Sequence, residues 1–297
     1  MVDSERCVMS EYLIRAPAKV NLTLHVTGRR EDGYHELDSL VVFAGVADLL
    51  TLDPKKPAGL DVSGPMADGA GLLQDNLVLK AMRALQARKE GLRVGHFSLV
   101  KRLPAQAGLG GGSSDAAGAL RLLADLNGMK PDDALIVEAA QATGADVPVC
   151  LIHQAVRMRG IGDQISMVKR MPPLDAVLIK PKASIATPKV FEELGLGRGM
   201  VVPQTPVEWP DSFDPLTWIR AIRDGRNDLE TPATHLAPVI ALCLSALKGT
   251  QGCLVARMSG SGSAVFGLYR STDHARSAAQ RLATHHPDWW VRQTLLN

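Results

Sequence analysis

The chain has little of what defines several large classes of protein. Only four of its 297 residues are cysteine (Cys7, Cys150, Cys243 and Cys253), scattered and without a Cys-x-x-Cys pair or flanking histidines. That excludes a zinc site or a disulfide framework and makes the cytoplasm the expected compartment. The longest apolar run, Leu40 to Ala47, falls far short of the roughly 20 residues a bilayer-spanning helix needs. The N-terminal MVDSERCVMS carries acids and no apolar centre, so it does not read as a signal peptide. Net charge is also scarce: 33 Lys plus Arg against 31 Asp plus Glu leaves +2, which gives no reason to expect nucleic acid or a membrane surface as partner. Aromatic residues make up only 4%, so those near a motif stand out.

What is present is a 46% hydrophobic composition, ample for a core, at a length that fits one large or two ordinary domains. Residues 12–26 alternate around Pro17 and predict two strands, or one with a bulge. Two further strands are expected in LDSLVVF and ADLLTL (37–52), and a helix capped by Asn76. A strand near Phe97 and Leu99 precedes helices over about 114–127 and 132–143. Strand-like runs then follow at 147–152, 155–158 and 164–168. Pro172–Pro173 marks the expected seam between domains 1–172 and 173–297. Beyond it the pattern predicts a strand at AVLIK and a helix opened by Thr187–Pro188. Residues 197–216 read as irregular. Then come a helix (236–247), two strands (252–258, 264–269), a helix (273–283) and a last strand (289–295). Strands and helices without regular alternation indicate an α+β class.

The most informative stretch is LPAQAGLGGGSSDAAGAL, residues 103–120. Gly108, Gly110, Gly111 and Gly112 lead directly into a helix, aiming free N–H groups and the positive end of the helix dipole at one point. That is a phosphate cradle. It is not a Walker A loop, because no Gly-Lys-Ser/Thr follows, and it lacks the Gly-x-Gly-x-x-Gly dinucleotide frame.

If the cradle holds ATP, the chain must also supply a group to activate a hydroxyl and a cation for developing charge. APAKVNLTLHVTGRREDGYHEL (16–37) gathers Lys19, Asn21, Tyr34 and His35; on a strand, Lys19 and Asn21 share a face. A lone lysine is ordinarily solvated, but Lys19 lies between Ala18, Val20 and Leu22. Turn chemistry at Asp32–Gly33 alone would account for Tyr34–His35. TGADVPVCL places Asp146 before an apolar run, as a turn residue or as a carboxylate facing an ammonium and poised to accept a proton. MSGSGSAVF (258–266) reads as a tight connection between strands or as a phosphate-binding wall from the second half.

Together these segments resemble the GHMP kinase superfamily over nearly the whole chain. Thr187-Pro188-Lys189-Val190-Phe191 and Asn227–Asp228 match as well. The DGYHEL hairpin downstream of PAKVNL resembles the branch acting on a cytidine-diphosphate-linked methylerythritol. The resemblance implies a ribosomal protein S5 domain 2-like N-terminal domain, a ferredoxin-like C-terminal domain, and an active site between them. It implies transfer of the γ-phosphoryl group of ATP to the 2-hydroxyl of CDP-methylerythritol in the non-mevalonate route to isoprenoid precursors, with Mg²⁺. By matching position, Asp146 is the catalytic aspartate and Lys19 its partner. Pro104, Ala105, Gln106, Ala107, Gly108, Leu109, Gly110, Gly111, Gly112, Ser113 and Ser114 form the ATP loop. Asn21, Tyr34, His35, Thr187 and Phe191 lie on the substrate side, with Tyr34 and Phe191 stacking on cytosine and His35 bonding its polar edge. No metal ligand is assigned; Ser114 is the candidate, against Mg²⁺ carried mainly by ATP. The expected partners are these small molecules alone, on a monomer or weak homodimer. Two departures stand out: Leu151–Gln154 replaces a glycine-containing turn, and Asp163 a glutamate. The alternatives are a homoserine- or mevalonate-type kinase, or a nucleotide sensor without turnover.

Overall fold

The computed structural model describes residues 12–203 and 207–297. Cys7 and the acid-bearing N-terminal segment lie outside the described residues. The first half runs β1 (Tyr12–Asn21), β2 (His25–Arg29), β3 (His35–Asp53), β4 (Gly59–Ser63), α1 (Leu77–Gln86), β5 (His96–Val100), α2 (Gly111–Leu126), α3 (Ala134–Thr143), α4 (Val147–Ile152), β6 (Val156–Gly160) and β7 (Gln164–Met167). The second runs β8 (Leu174–Lys180), α5 (Thr187–Leu194), α6 (Pro215–Asp224), α7 (Glu230–Leu236), α8 (Val239–Lys248), β9 (Cys253–Met258), β10 (Val265–Tyr269), α9 (Thr272–His285) and β11 (Trp290–Leu296). This is the expected α+β class.

The sheet is organised by β3, a single strand of 19 residues where the sequence pattern predicts two. It stays continuous because its neighbours change along its length. β2 and β6 pair with its first part, β1 and β5 with its second. Near its middle Leu296 of β11 pairs with Ala44, and Phe43 exchanges two backbone hydrogen bonds with Asn297. The last strand therefore ties the β8–β11 sheet to the first one. The bulge near Pro17 is present, as a register shift between Pro17 and Lys19.

Three other elements depart from the sequence pattern. Val147–Ile152 is a helical turn rather than a strand, because Pro148 sits in the first turn, where its missing N–H is no loss. A short apolar run cannot by itself distinguish the two, and Val147, Val149, Cys150 and Leu151 bury as a helical face. The helix expected over 236–247 is α8, which starts only after Pro238, while α7, ending at Leu236, has no counterpart in the sequence pattern. α6 falls partly in a stretch whose pattern predicts no helix, although Asp214 caps it by accepting from the Leu216 and Thr217 N–H groups around Pro215.

Helices α1–α4 pack their apolar residues (Val78, Leu85, Leu120, Leu123, Ile136) on the first sheet. A second cluster, including Val20, Leu40, Leu109, Leu178, Trp218 and Phe266, draws on both halves. Arg257 of β9 pins this junction. Its buried guanidinium donates to the carbonyls of Leu22, Ile222, Arg223 and Gly225. Arg257→Met should lower stability by about 3 kcal/mol, because buried carbonyls lose their donor. Urea unfolding reads this as a lower midpoint with an unchanged slope; an unchanged midpoint would remove the pin from the account.

Candidate active site

A cleft of about 650 Å³ opens where the glycine loop meets β1, α5 and the β9–β10 connection. The loop is seated on both sides by backbone. Leu109 O accepts from Lys19 N at 2.8 Å, Ala107 O accepts from Ala264 N at 2.9 Å, and Gly108 O accepts from the Ser259 hydroxyl at 3.0 Å. The seating is so close that a Cβ on Gly108, at φ +72°, would lie 2.4 Å from Ser259 O. Gly110 sits left-handed at the N-cap of α2. Gly111 and Gly112 are under no such pressure, since a Cβ there would meet neighbours only at 3.4–3.5 Å or beyond. What their missing side chains leave clear is the helix N-terminus, whose first N–H groups have no partner within the helix. Nine of the eleven expected loop residues line the cleft, Pro104–Gly108 and Gly110–Ser113.

The other two point inward. Leu109 is a core residue. The Ser114 hydroxyl is buried and donates to Pro17 O at 2.6 Å, with Cys150 Sγ behind it at 3.4 Å. It does not face the cleft, which corrects its candidacy as a metal ligand.

Lys19 and Asp146 meet across the cleft, Nζ to Oδ1 at 2.9 Å. Lys19 is almost wholly buried on β1, while the Asp146 side chain keeps 40% of its exposure at the head of α4. Asp146 makes no capping bond with its own helix. Its carboxylate is thus held by the lysine and open to a ligand.

Beneath the helix N-terminus lies a second charged group that sequence reasoning missed. Lys101, just past β5, donates to Asp48 and, at 2.8 Å, to Asp115 Oδ2. Asp48 Oδ1 also accepts from the backbone of Arg102 and Leu103, fixing the entry to the glycine loop. Lys101 and Asp115 both line the cleft floor. Burial works against the Lys101 charge, but Asp115 and Asp48 override it and raise its pKa. Burial likewise pushes Asp115 up, to about 7, against the pull of Lys101. The sequence carried a faint signal here: an aspartate in the first turns of an otherwise Ala- and Leu-rich helix.

On the substrate side the structure gathers most of the expected residues. The Asn21 amide donates to Ser39 Oγ at 2.7 Å, and its buried Oδ1 has no partner among the described residues. Thr187 Oγ1 lies 2.7 Å from Ser261 Oγ of the β9–β10 connection. Asn227 holds that connection in place by donating to Met258 O and Gly260 O at 2.8 Å. Phe191 lines the cleft and stacks on His35, centroids 4.4 Å apart and 23° between planes. Burial and the Arg29 charge lower the pKa of His35. Tyr34 is not brought in: it is 63% exposed on the hairpin, where its N–H bonds Asp32. The two departures have local explanations. His153 takes the left-handed conformation itself to end α4, with its ring edge-on to Phe43. Asp163 closes the β6–β7 turn by accepting from Ile161 N.

Two family descriptions match the chain, GHMP kinases N terminal domain over residues 76–154 and GHMP kinases C terminal over 214–288. The chain is 55% identical to the 4-diphosphocytidyl-2-C-methyl-D-erythritol kinase of Methylobacterium radiotolerans, covering 95% of this chain and 98% of that one. It is 50% identical to the enzyme of the same name from Methylorubrum extorquens, over 97% of this chain and all of that one. A crystal structure of 4-(cytidine 5'-diphospho)-2C-methyl-D-erythritol kinase superimposes with a TM-score of 0.75 at 35% identity, covering 96% and 99% of the two chains. Homoserine kinase from Cytophaga hutchinsonii, at 19% identity and a TM-score of 0.65, shares the fold. With its cleft, its glycine-fed helix and its full-length relatives, this chain belongs to the GHMP kinases, in the 4-diphosphocytidyl-2-C-methyl-D-erythritol kinase family.

Proposed function

We propose that the chain transfers the γ-phosphoryl group of ATP to the 2-hydroxyl of 4-diphosphocytidyl-2-C-methyl-D-erythritol, giving the 2-phosphate and ADP. The observation that carries this reading is the Lys19–Asp146 pair at 2.9 Å, facing the open N-terminus of α2 across one cleft. A tertiary alcohol is a poor nucleophile, so orientation and charge stabilisation supply most of the acceleration. Asp146 takes the hydroxyl proton as the new bond to phosphorus forms. Lys19 orients that carboxylate and offsets charge on the transferring group. The amides of Gly111, Gly112 and Ser113, with the helix dipole, hold the phosphates. Asn21 Oδ1 accepts from a substrate hydroxyl.

Mg²⁺, when bound, neutralises phosphate charge. Among the described residues no three His, Cys, Asp or Glu side chains form a group that could hold a metal ion, and the cleft carboxylates Asp146, Asp115 and Asp75 are each paired with a lysine. That donor set suits an ion carried on nucleotide phosphates and water, as Mg²⁺ commonly is.

The His35–Phe191 stack favours a cytidine over the smaller alcohols of the homoserine and mevalonate enzymes, because it offers a ready aromatic face to a base. Tyr34 reaches the other face of the cytosine only if the hairpin folds inward. The chain divides into an ATP-binding domain, 1–172, and a second domain, 173–297, supported by family matches on either side of Pro172–Pro173. No helix among the described residues is long and apolar enough to cross a membrane. Small-molecule substrates and unpaired cysteines at positions 150, 243 and 253 support a cytoplasmic enzyme.

ATP turnover measured against CDP-methylerythritol, homoserine and mevalonate tests the substrate. Turnover with the first alone is expected, and turnover confined to the other two would overturn the assignment. Asp146→Asn should lower kcat by about 10² or more while ATP affinity is largely kept; near-normal kcat would remove Asp146 from the chemistry. His35→Ala should raise KM for the cytidine substrate about tenfold, the scale of one lost hydrogen bond to the polar edge of the base, and leave KM for ATP unchanged. An unchanged substrate KM would count against the cytosine site.

A further inference from the structure

The Asp48–Lys101–Asp115 group holds two carboxyls and one ammonium in a nearly solvent-free space at the cleft floor. Only one Asp115 oxygen is used: Oδ2 accepts from Lys101, while Oδ1 is buried without a partner among the described residues. Lys101 Nζ lies 3.6 Å from where a Cβ on Gly111 would be, directly under the N-terminus of α2. Phosphates seated there would bring several negative charges beside a group that already has a carboxylate in excess.

We propose that Asp115 takes up a proton when nucleotide enters the cleft, so that ATP binding and proton binding are coupled at the foot of α2. This rests on the reading that the phosphates seat at that N-terminus. The groups facing Asp115 are few. β3 presents Asp48, the exit of β5 presents Lys101, and α4 presents Cys150. Burial, then the Asp146 charge, pushes the Cys150 thiol up to about 12, so it stays neutral. Lys19 and Asp146, one of each sign, lie beyond Ser114 and Cys150. None of these supplies the missing positive charge, and a proton on the orphan oxygen does.

Burial pushes the Asp115 carboxyl up to about 7 from an ordinary 3.8, so the stability this group contributes is full below about pH 4 and lost as pH rises through about 7. Added phosphate charge moves the titration higher still. Nucleotide affinity therefore falls as pH climbs past 7, by up to about tenfold per pH unit.

Isothermal titration with Mg²⁺ and a non-hydrolysable ATP analogue, in buffers of differing ionisation enthalpy, counts the protons. The wild type should take up close to one more proton than Asp115→Asn near pH 8. The affinity of Asp115→Asn relative to wild type should rise about tenfold between pH 6 and 8.5; the ligand's own titration cancels in that ratio. Equal proton uptake and a flat ratio would overturn the coupling. Binding to neither protein would instead strike the reading of the cleft. Should Asp115→Asn not fold, Asp115→Ser, which leaves Lys101 paired with Asp48, carries the same comparison and the same two outcomes.

Discussion

The seating of the glycine loop between β1 and the β9–β10 connection is the constraint on which the site depends. Leu109 O on Lys19 N, Ala107 O on Ala264 N and Gly108 O on Ser259 Oγ clamp a few residues of backbone from both sides. Because these bonds are made by main chain, they fix the loop whatever its side chains, and they leave Gly108 no room for a Cβ. The same clamp aims α2 at the cleft and carries Lys19 to the Asp146 carboxylate. Since its two jaws come from the two halves of the chain, the junction core and Arg257 are part of the active-site architecture, although they never face the cleft.

Charge in the cleft is organised in layers. At the rim the Lys19–Asp146 pair is half open, so in the proposed reaction the carboxylate meets a substrate hydroxyl while Lys19 still orients it. At the floor Lys101 is enclosed by two carboxyls and is never free to follow a substrate. Under the phosphate site proposed at the N-terminus of α2, a cation fixed by its own counter-charges sets a background potential rather than reacting. The difference between the two lysines is burial of the partner: Asp146 remains 40% exposed at its side chain and Asp115 only 4%.

Much of this was legible in the sequence, for identifiable reasons. The glycine loop and its helix are local chemistry, and so are the Asn76 cap and the bulge at Pro17. Lys19, Asn21, Asp146, Thr187 and Phe191 all reach the cleft. The failures are equally physical. A strand and a helical turn look alike over six apolar residues, and only Pro148 hinted at the outcome. Nothing local to LDSLVVF and ADLLTL says that two runs join into one strand, because the continuity is set by five different partners. Lys101, Asp48 and Asp115 lie 14 to 67 positions apart, so no motif joins them. Ser114 sits at the correct place in the motif, but its side chain follows the helical turn inward.

The account turns on one geometry, that the acceptor hydroxyl is delivered to Asp146 opposite phosphates held by α2. A crystal structure of the protein with a non-hydrolysable ATP analogue and 4-diphosphocytidyl-2-C-methyl-D-erythritol measures it directly. The account predicts the 2-hydroxyl within hydrogen-bond reach of the Asp146 carboxylate, the phosphates on the amides of residues 111–113, and the cytosine against Phe191. A 2-hydroxyl placed away from Asp146, with another group closer to it and in line with the γ-phosphate, would contradict it.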